Sequence, residues 1–406
     1  MEVEGGRRRW LQVVVVLAVL VAGVVANRSN TERADEQRAF EERQRLEVPS
    51  AGPPAPLPQS LRTTDRLGPL LPEPTGTTLV LAAGTQVIVL DVDSGTLRSV
   101  QLADLKVDGG YPWGSPVLAV GDALVVRSRP PEARVIPRTD GQAVTELDVG
   151  SGGGLYPSTS EGAFWVEELR GEARLEEVDR SGVVRRSVVI PNNSGSIVWD
   201  GTGFIQTVDG EVLAFPADGG EPTPLGPGLA VAADAATVAV LHCRPAPMPG
   251  GNPCDLELLD RAAGTSRVVD PPEDVAGFRA GYDAGLVPAL SPDGRWLLLG
   301  ADVVTSGNVG LPATAPGLVV VDVGTGTVRA VEPGALGGLP VGAFSPDGRH
   351  LFLARPVSSV AAELAAVRLA DGDRFALDVE VSARASFGLV LEAVPSVAAD
   401  LGSGED

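Results

Sequence analysis

The stretch VIVLDVDSGTLRSV at residues 87–100 returns as LVVVDVGTGTVRAV at residues 318–331, with half of its positions identical. In each copy apolar residues lead to an aspartate, Asp91 or Asp322, and a short polar turn with a glycine precedes a second strand-like segment. Glycine adopts the positive φ that such a turn needs, and aspartate bonds back to nearby amides. The stretch therefore predicts a β-hairpin that the chain repeats.

Looser copies of this hairpin lie elsewhere in the chain. They begin at Arg134, Leu175, Val212, Leu256 and Leu364. With the opening pair they recur mostly at about 40 residues, a period that is typical of propeller blades with four short strands. The seven hairpins therefore predict an all-β, seven-bladed β-propeller over residues 76–395.

A second recurring unit supplies the other half of a blade. ALSPDGRWLLLGA (289–301) and AFSPDGRHLFLAR (343–355) share a Ser-Pro-Asp-Gly turn before an apolar strand. Proline sets φ at the first turn position, and glycine closes the turn. On these residues the chain resembles the TolB-like and WD-repeat β-propellers, whose repeat has this turn. The resemblance implies the architecture and no particular activity, because this fold hosts many unrelated functions. The Gly-His and Trp-Asp marks of strict WD repeats are missing, so their partners are not carried over.

Ring closure is expected to involve the two ends of the propeller. One blade cannot bury both faces of its sheet, whereas neighbours stacked around a ring bury both and leave few free edges. The apolar stretch ASFGLVLEAV (385–394) follows the last hairpin, and we expect it to pair into the first blade. The acidic tail at 396–406 is expected to be disordered.

The N-terminal segment predicts a membrane anchor. Three arginines precede an apolar run at 10–26 that holds one polar residue, Gln12. This pattern predicts a cytoplasmic tail over residues 1–9 and a transmembrane signal-anchor helix over 10–26, with the rest of the chain outside the cytoplasm. The residues before Asn27 also fit a cleavage site, so secretion after cleavage near Ala26 is the alternative.

Two spacers separate the anchor from the propeller. Residues 27–48 are dense in acids and arginines at helical spacings, which predicts a solvated helical stalk or, alternatively, a short coiled-coil dimer. Prolines recur through residues 49–75, and these predict an extended, semi-rigid linker.

The composition excludes one class of partner. The chain has 406 residues and a formal net charge of −21, which would repel phosphates and argues against nucleic-acid binding. Hydrophobic residues make up 44% of the chain, enough for a core, whereas aromatics make up only 4%.

The two cysteines predict a disulfide. Cys243 and Cys254 flank a Pro/Gly-rich loop at the ends of two apolar strands, VAVL and LELL, which should run antiparallel. That arrangement brings two sulfurs within bonding range, and a disulfide agrees with an extracytoplasmic location. A metal pair or a reactive thiol is the alternative, although further ligands are lacking.

The two faces of the propeller are expected to differ. The S-P-D-G and D-x-x-T-G turns are short and fall on one face, whereas the longer connections fall on the other. Long loops on a rigid scaffold are where binding residues tend to sit. The predicted contact residues in these connections are Tyr111, Trp113, Tyr156, Arg244, Phe278, Arg279 and Tyr282. The alternative is that the aromatic residues pack against loops or fill the central channel, with the arginines solvated.

No motif in the sequence indicates catalysis, a metal or a cofactor. His242 and His350 are the only histidines, and neither has the neighbours of a catalytic triad or a metal site. We therefore interpret both as structural residues.

These observations predict a non-enzymatic binding or scaffold module that is tethered outside the cytoplasmic membrane. Its partner would be an envelope protein or polysaccharide. The alternative is a hydrolase or lactonase-like enzyme with carboxylates at the central channel, for which Asp104, Asp108, Asp274 and Asp283 are candidates. Convergence of these acids at the channel mouth would favour the enzyme.

Overall fold

The computed structural model describes residues 60–83, 85–102, 117–127, 132–139, 141–149, 154–168, 174–191, 197–243, 254–279, 288–305, 313–333, 341–358, 361–381 and 390–396. The predicted cytoplasmic tail, transmembrane helix and stalk lie outside these residues, as does the acidic tail after Ser396. In the part of the chain that is described the regular elements are strands, and no helix there has the length and hydropathy to cross a membrane.

The strands follow one another through the described chain. They are β1 (Arg62–Arg66), β2 (Thr77–Ala83), β3 (Gln86–Asp91), β4 (Thr96–Gln101), β5 (Val117–Val120), β6 (Ala123–Arg127), β7 (Glu132–Pro137), β8 (Thr145–Asp148), β9 (Leu155–Pro157) and β10 (Ala163–Glu168). Next come β11 (Arg174–Asp179), β12 (Val184–Val189), β13 (Ile197–Trp199), β14 (Gly203–Val208), β15 (Glu211–Pro216), β16 (Thr223–Pro227), β17 (Leu229–Ala233), β18 (Thr237–Cys243), β19 (Cys254–Asp260) and β20 (Thr265–Val269). The last are β21 (Val275–Arg279), β22 (Ala289–Leu290), β23 (Trp296–Thr305), β24 (Ala313–Asp322), β25 (Val328–Pro333), β26 (Val341–Phe344), β27 (His350–Ser358), β28 (Ala361–Arg368), β29 (Arg374–Val381) and β30 (Val390–Pro395).

The described strands form six sheets. Five are separate blades: blade 1 (β1–β4 with β30), blade 2 (β5–β8), blade 3 (β9–β12), blade 4 (β13–β16) and blade 5 (β26–β29). The sixth is a nine-stranded sheet, β17–β25. The prediction of an all-β propeller is confirmed, whereas the prediction of seven separate blades was wrong.

Strand β21 is the reason for the different blade count. It joins two four-stranded meanders, β17–β20 (the first meander) and β22–β25 (the second meander), into one sheet. Phe278 of β21 pairs with Cys254 of β19, and Val275–Arg279 pairs with residues 300–303 of β23. The sequence predicts a long connection around Phe278 and Arg279, because two prolines and three glycines within residues 270–285 hide the short strand.

The C-terminal strand closes the ring. Strand β30 pairs antiparallel with β2, from Thr77↔Pro395 to Ala82↔Val390, and is the innermost strand of blade 1. It also contacts β26 of blade 5 on one side and β5 of blade 2 on the other. The expected pairing of the last apolar stretch with the first blade is confirmed for residues 390–395.

The N-terminal boundary of the propeller differs from the prediction. Strand β1 pairs with β4 as a fifth, outermost strand of blade 1. Leu61 and Leu71 are buried at 0% and 7% exposure. The predicted linker at 49–75 therefore belongs to blade 1 from Leu61 onward. The sequence RTTDR of β1 is fully exposed and has no alternating apolar pattern, so it did not indicate a strand.

The hydrophobic core lies between neighbouring blades. Leu79 and Leu81 of β2 pack in a cluster with blade 5, whereas Val80 and Ala82 of the same strand pack in a cluster with blade 2. Side chains alternate between the two faces of a strand, so a strand covered on both faces is apolar throughout. The continuous apolar runs of the sequence are thus explained by stacking around a ring.

The quoted hairpin has the same turn in both copies. The amide of Gly95 donates to the carbonyl oxygen of Asp91 at 2.8 Å, and that of Gly326 donates to the carbonyl oxygen of Asp322 at 2.7 Å. Their φ values are +65° and +76°, a conformation that favours glycine. The same turn geometry is therefore present at two positions that lie more than two hundred residues apart in the chain.

Candidate functional site

The meander topology gives the propeller two different faces. We call the side with the short first and third connections of each four-stranded unit the turn face; it includes the turns at 200–203, 291–295 and 345–349. The opposite side, where the connections after Cys243, Val269 and Thr305 begin, is the loop face.

The loop face is extended by two hairpins. Strands β23 and β24 have ten residues each, whereas the equivalent strands of the first meander, β18 and β19, have seven. Three more residues add about 10 Å of strand. In blade 5, β27 and β28 have nine and eight residues. Both hairpins extend toward the loop-face side of the propeller.

Strand β21 fastens the extension of β23. Phe278 is fully buried in the cluster between the two meanders. Arg279 donates from Nε to Asp302 Oδ1 at 2.7 Å, and its Nη2 lies 2.6 Å from the same oxygen. A guanidinium that binds a carboxylate with two nitrogens is held in one orientation. These two predicted contact residues therefore build the support of the loop face.

The disulfide lies at the edge of the same face. Cys243 and Cys254 are register partners on β18 and β19 and are joined by a disulfide, with their Cα atoms 4.0 Å apart. The predicted pairing is confirmed. Beside it, His242 Nε2 lies 2.7 Å from Glu257 Oε2. This hydrogen bond, with both side chains partly exposed, agrees with a structural role for His242.

The remaining predicted contact residues have separate locations. Tyr156 lies on β9 and is 3% exposed, with its ring edge-on to Phe204 at 6.0 Å. Burial, together with the carboxylate of Glu167, raises the pKa of Tyr156 well above its usual value. Four others lie outside the described residues: Tyr111, Trp113, Arg244 and Tyr282. For these the binding role stays a prediction.

On the turn face, arginines of the fourth strand reach forward to the next blade. Arg98 donates to the carbonyl oxygen of Arg138 at 2.8 Å, and Arg329 donates to that of Leu369 at 3.1 Å. Both acceptors directly follow the third strand of the neighbouring unit. Arg98 and Arg329 are the shared arginines of the quoted repeat, so the repeat also encodes a link between blades.

A second set of links reaches back from the third turn. Arg180 forms an ion pair with Asp122 of blade 2, and Arg261 forms one with Asp200 of blade 4, with Nη1 and Oδ2 2.5 Å apart. Each arginine directly follows the third strand of its unit, and each aspartate lies in the first turn of the preceding unit. Many residues of the described turns therefore bond to a neighbouring blade or meander.

The two S-P-D-G turns are closed by identical hydrogen bonds. The Ser345 hydroxyl donates to Asp347 Oδ1 at 2.5 Å and accepts from the amide of His350 at 2.9 Å. Ser291 makes the corresponding bonds in the second meander. His350 is 7% exposed, and burial lowers the pKa of its imidazole. This placement agrees with the structural role that the sequence predicted.

Four residues form a row across blade 3, facing blade 4. Tyr156, Trp165, Glu177 and Arg186 are register partners on β9 to β12. Glu177 accepts from Arg186 Nε at 2.5 Å and from Nη2 at 3.0 Å, and the Arg186 guanidinium lies 5.0 Å from the Trp165 ring. Stacking on an aromatic face adds to the ion pair.

Of the four residues of this row, only Tyr156 was predicted from the sequence to be functional. Trp165 is fully buried, with Phe204 edge-on at 5.1 Å and Trp199 at 6.4 Å between ring centroids. The available signal was that two of the five tryptophans, Trp165 and Trp199, lie in apolar stretches about one repeat apart. Strand register decides on which face of its sheet each ring lies. The positions of the tryptophans in the sequence do not show this register.

The Glu177–Arg186 ion pair is expected to make the stability of the protein depend on pH in the acid range. The hydrogen bonds from Arg186 lower the pKa of Glu177 from 4.5 to about 2. A lowered folded-state pKa adds stability above the unfolded value, and this is lost as pH falls toward the folded value. We therefore expect Glu177→Gln to be less stable than the wild type at pH 7, with a difference that shrinks between about pH 5 and about pH 2.

Urea unfolding followed by circular dichroism at several pH values measures this difference. Glu221→Gln, which changes an exposed glutamate between β15 and β16, is the control and should differ little from the wild type at every pH. A Glu177→Gln difference that stays constant into acid would contradict the assigned role of the ion pair.

No family model and no curated protein matches the chain. It is similar to the solved structure of TolB from Acinetobacter baumannii at 13% identity, over 78% of this chain and 83% of that chain, with a TM-score of 0.40. An oligogalacturonate lyase from Vibrio parahaemolyticus is similar at 13% identity, over 73% and 85%, with a TM-score of 0.48. The WD40 domain of Pan2 from Neurospora crassa is similar at 11% identity, over 74% and 93%, with a TM-score of 0.45.

The strand topology of the described residues defines the class of protein. The chain is a β-propeller, and its structure neighbours include TolB and WD40 propellers. Identities this low show the fold alone and say nothing about activity.

Proposed function

We propose that this protein is a non-enzymatic binding or scaffold module whose propeller is tethered outside the cytoplasmic membrane and binds an envelope protein or polysaccharide. The observation that carries the proposal is the difference between the two faces. Many side chains of the described turns on the turn face form links between blades, such as Arg98–Arg138 and Arg261–Asp200. The loop face has the extended hairpins β23–β24 and β27–β28.

The loop face combines rigidity with accessible charge. Arg355 and Glu363 form an ion pair across β27 and β28, with Nη2 and Oε2 2.5 Å apart, and Glu363 is 60% exposed. The extension of β23 is held by β21 through Arg279 and Asp302. A rigid support lowers the entropy cost of binding, because little of the surface has to become ordered.

Two aromatic residues that the sequence places in the long connections are the proposed anchors of the interface. Trp113 and Tyr282 are rigid amphipathic side chains of the kind that dominate binding interfaces. Tyr111 and Arg244 are proposed to contribute beside them. Tyr156 and Phe278 are buried and support the face from within.

The membrane tether is proposed from the sequence. An apolar run at 10–26 follows three arginines, and this order favours an external propeller. The disulfide between Cys243 and Cys254 is consistent with an oxidising compartment.

Cysteine labelling on intact cells tests the location and the face together. Both native cysteines are in the disulfide, so Glu363→Cys on the loop face or Asp371→Cys on the turn face supplies a single reactive thiol. Each native carboxylate is exposed and pairs with an arginine, which makes the two variants a matched pair. The reagent is a membrane-impermeant maleimide with a photoreactive group.

We expect both variants to be labelled and only Glu363→Cys to crosslink to a partner. Adding Trp113→Ala or Tyr282→Ala singly should weaken capture about thirtyfold or more, and adding both about 700-fold, because each anchor residue contributes roughly 2 kcal/mol or more. Absence of labelling on intact cells would refute the external location. Crosslinking from Asp371→Cys alone would show that the turn face binds the partner.

A further inference from the structure

A cleft opens on the turn face where blade 3, blade 4 and the first meander meet. Its volume is about 550 Å³, within the range of sites that hold small molecules. Arg186 of β12 and Arg261 of the turn after β19 line it, together with Asp200 and Phe215 of blade 4. Charged groups from three units of the ring therefore meet at one concave surface.

The carboxylate of Asp200 is already satisfied within the protein. Its Oδ1 accepts from the amides of Thr202 and Gly203 at 2.7 Å and 2.6 Å, and its Oδ2 accepts from Arg261 Nη1 at 2.5 Å. Burial alone would raise the pKa of Asp200, but these hydrogen bonds together lower it. Asp200 is therefore a fixed anion that holds Arg261 in place.

Both arginines keep hydrogen-bond donors that the protein does not use. Arg186 binds Glu177 through Nε and Nη2, and Arg261 binds Asp200 and the carbonyl oxygen of Asp234 through Nη1. Among the described residues no acceptor is bonded to Arg186 Nη1, nor to Arg261 Nε or Nη2. The two side chains are 38% and 23% exposed. The cleft therefore has unused donors, whereas each of the two carboxylates already accepts hydrogen bonds on both of its oxygens.

The other residues of the cleft restrict what can bind. Asp218, which also lines it, is exposed and would repel a second negatively charged group elsewhere on the ligand. Phe215 and Pro216 supply apolar lining. A compatible ligand has one negative group and an uncharged, partly apolar body.

We infer that this cleft binds a small molecule that carries one compact oxyanion, a carboxylate or phosphate group, through the free donors of Arg186 and Arg261. Guanidinium groups match both oxyanions with parallel N–H···O bonds. The buried partners Glu177 and Asp200 hold the arginines before the ligand arrives, which reduces the ordering cost of binding. The site lies on the turn face and does not depend on the proposed function of the loop face.

Titration calorimetry of the full-length protein in a non-ionic detergent tests this inference. The probes are benzoate and phenyl phosphate, which share a phenyl body and distinguish the two oxyanions, with neutral benzamide as the control ligand. We expect at least one anion to bind at millimolar concentration or below and benzamide not to bind. Failure of both anions to bind, or equal binding of benzamide, would overturn the inference.

Two variants locate the binding. Thr223→Trp fills the cleft from the first residue of β16, and Thr265→Trp makes the same change at the first residue of β20. Both threonines are exposed, so neither change disturbs the core. We expect at least tenfold weaker binding for Thr223→Trp and unchanged binding for Thr265→Trp. Wild-type binding by Thr223→Trp would place the anion elsewhere.

A charge-neutral exchange tests the role of the cation. Arg186→Gln alone would strand the buried Glu177 and is expected to destabilise the fold. The double variant Glu177→Gln with Arg186→Gln removes both charges and keeps a hydrogen-bonding pair. We expect about tenfold weaker anion binding, because a charge-assisted hydrogen bond is lost. Unchanged affinity in a folded double variant would contradict the assignment of Arg186.

Discussion

Truncation after residue 389 is expected to destabilise the propeller by about 5 kcal/mol or more, a large share of the stability of a typical domain. The truncation removes β30, whose Val390, Leu391 and Val394 are buried. Each such side chain contributes roughly 1.5–3 kcal/mol on burial. The loss also opens the ring, because it exposes the edge of β2 and the inner contacts with β5 and β26.

Urea unfolding and limited proteolysis of the full-length and truncated chains measure this effect. The matched control is truncation after Ser396, which keeps β30 and the hydrogen bond from the Ser396 hydroxyl to Asp91 Oδ2 at 2.8 Å. The control is expected to unfold like the full-length chain. Equal stability of the 389 truncation would show that ring closure does not depend on β30.

Trp165→Ala is expected to cost about 3–5 kcal/mol of unfolding free energy, because it leaves a large cavity in a packed interface. Trp165 is fully buried between blades 3 and 4 and contacts Phe204 and Trp199. It also lies beneath the Arg186 guanidinium, so its loss weakens the support of Glu177 and Arg186. The effect is therefore expected to exceed that of an isolated cavity of equal volume.

Chemical denaturation measures this loss of stability, and two further variants provide a scale for it. Trp165→Phe keeps an aromatic ring in place and should cost less than half as much as Trp165→Ala. Val268→Ala changes a side chain on β20 that is 60% exposed and should alter stability by about 0.5 kcal/mol or less. A Trp165→Ala loss as small as that of Val268→Ala would refute the role of the row across blade 3.

The location of the aromatic residues was not predictable from the local sequence pattern. The predicted contact set placed Tyr156 and Phe278 in loops, whereas both are buried in strands. Pro-Pro and Gly signals around residues 270–285 are typical of a loop, and only pairing with β19 and β23 turns residues 275–279 into a strand. Pairing with distant strands therefore overrides the weak local preference of these residues for a loop.

The contacts of two arginines on the turn face were likewise not predictable from the sequence. Arg98 and Arg329 stood out as repeated positions, but their acceptors, the carbonyl oxygens of Arg138 and Leu369, lie forty residues further along the chain. A backbone carbonyl has no sequence signature. The repeat was visible in the sequence, whereas its function as a link between blades was not.

The local units of this protein are predictable from short stretches of its sequence. The Asp91–Gly95 turn, the S-P-D-G turns, the disulfide between Cys243 and Cys254 and the apolar run that closes the ring were all readable, because each depends on residues close together in the chain or on simple alternation. Tertiary structure alone decided the blade count, the addition of β1 to blade 1, and the cleft of Arg186 and Arg261. These features depend on which residues of separate units meet when the ring closes, and that is fixed by strand register and packing across the interfaces.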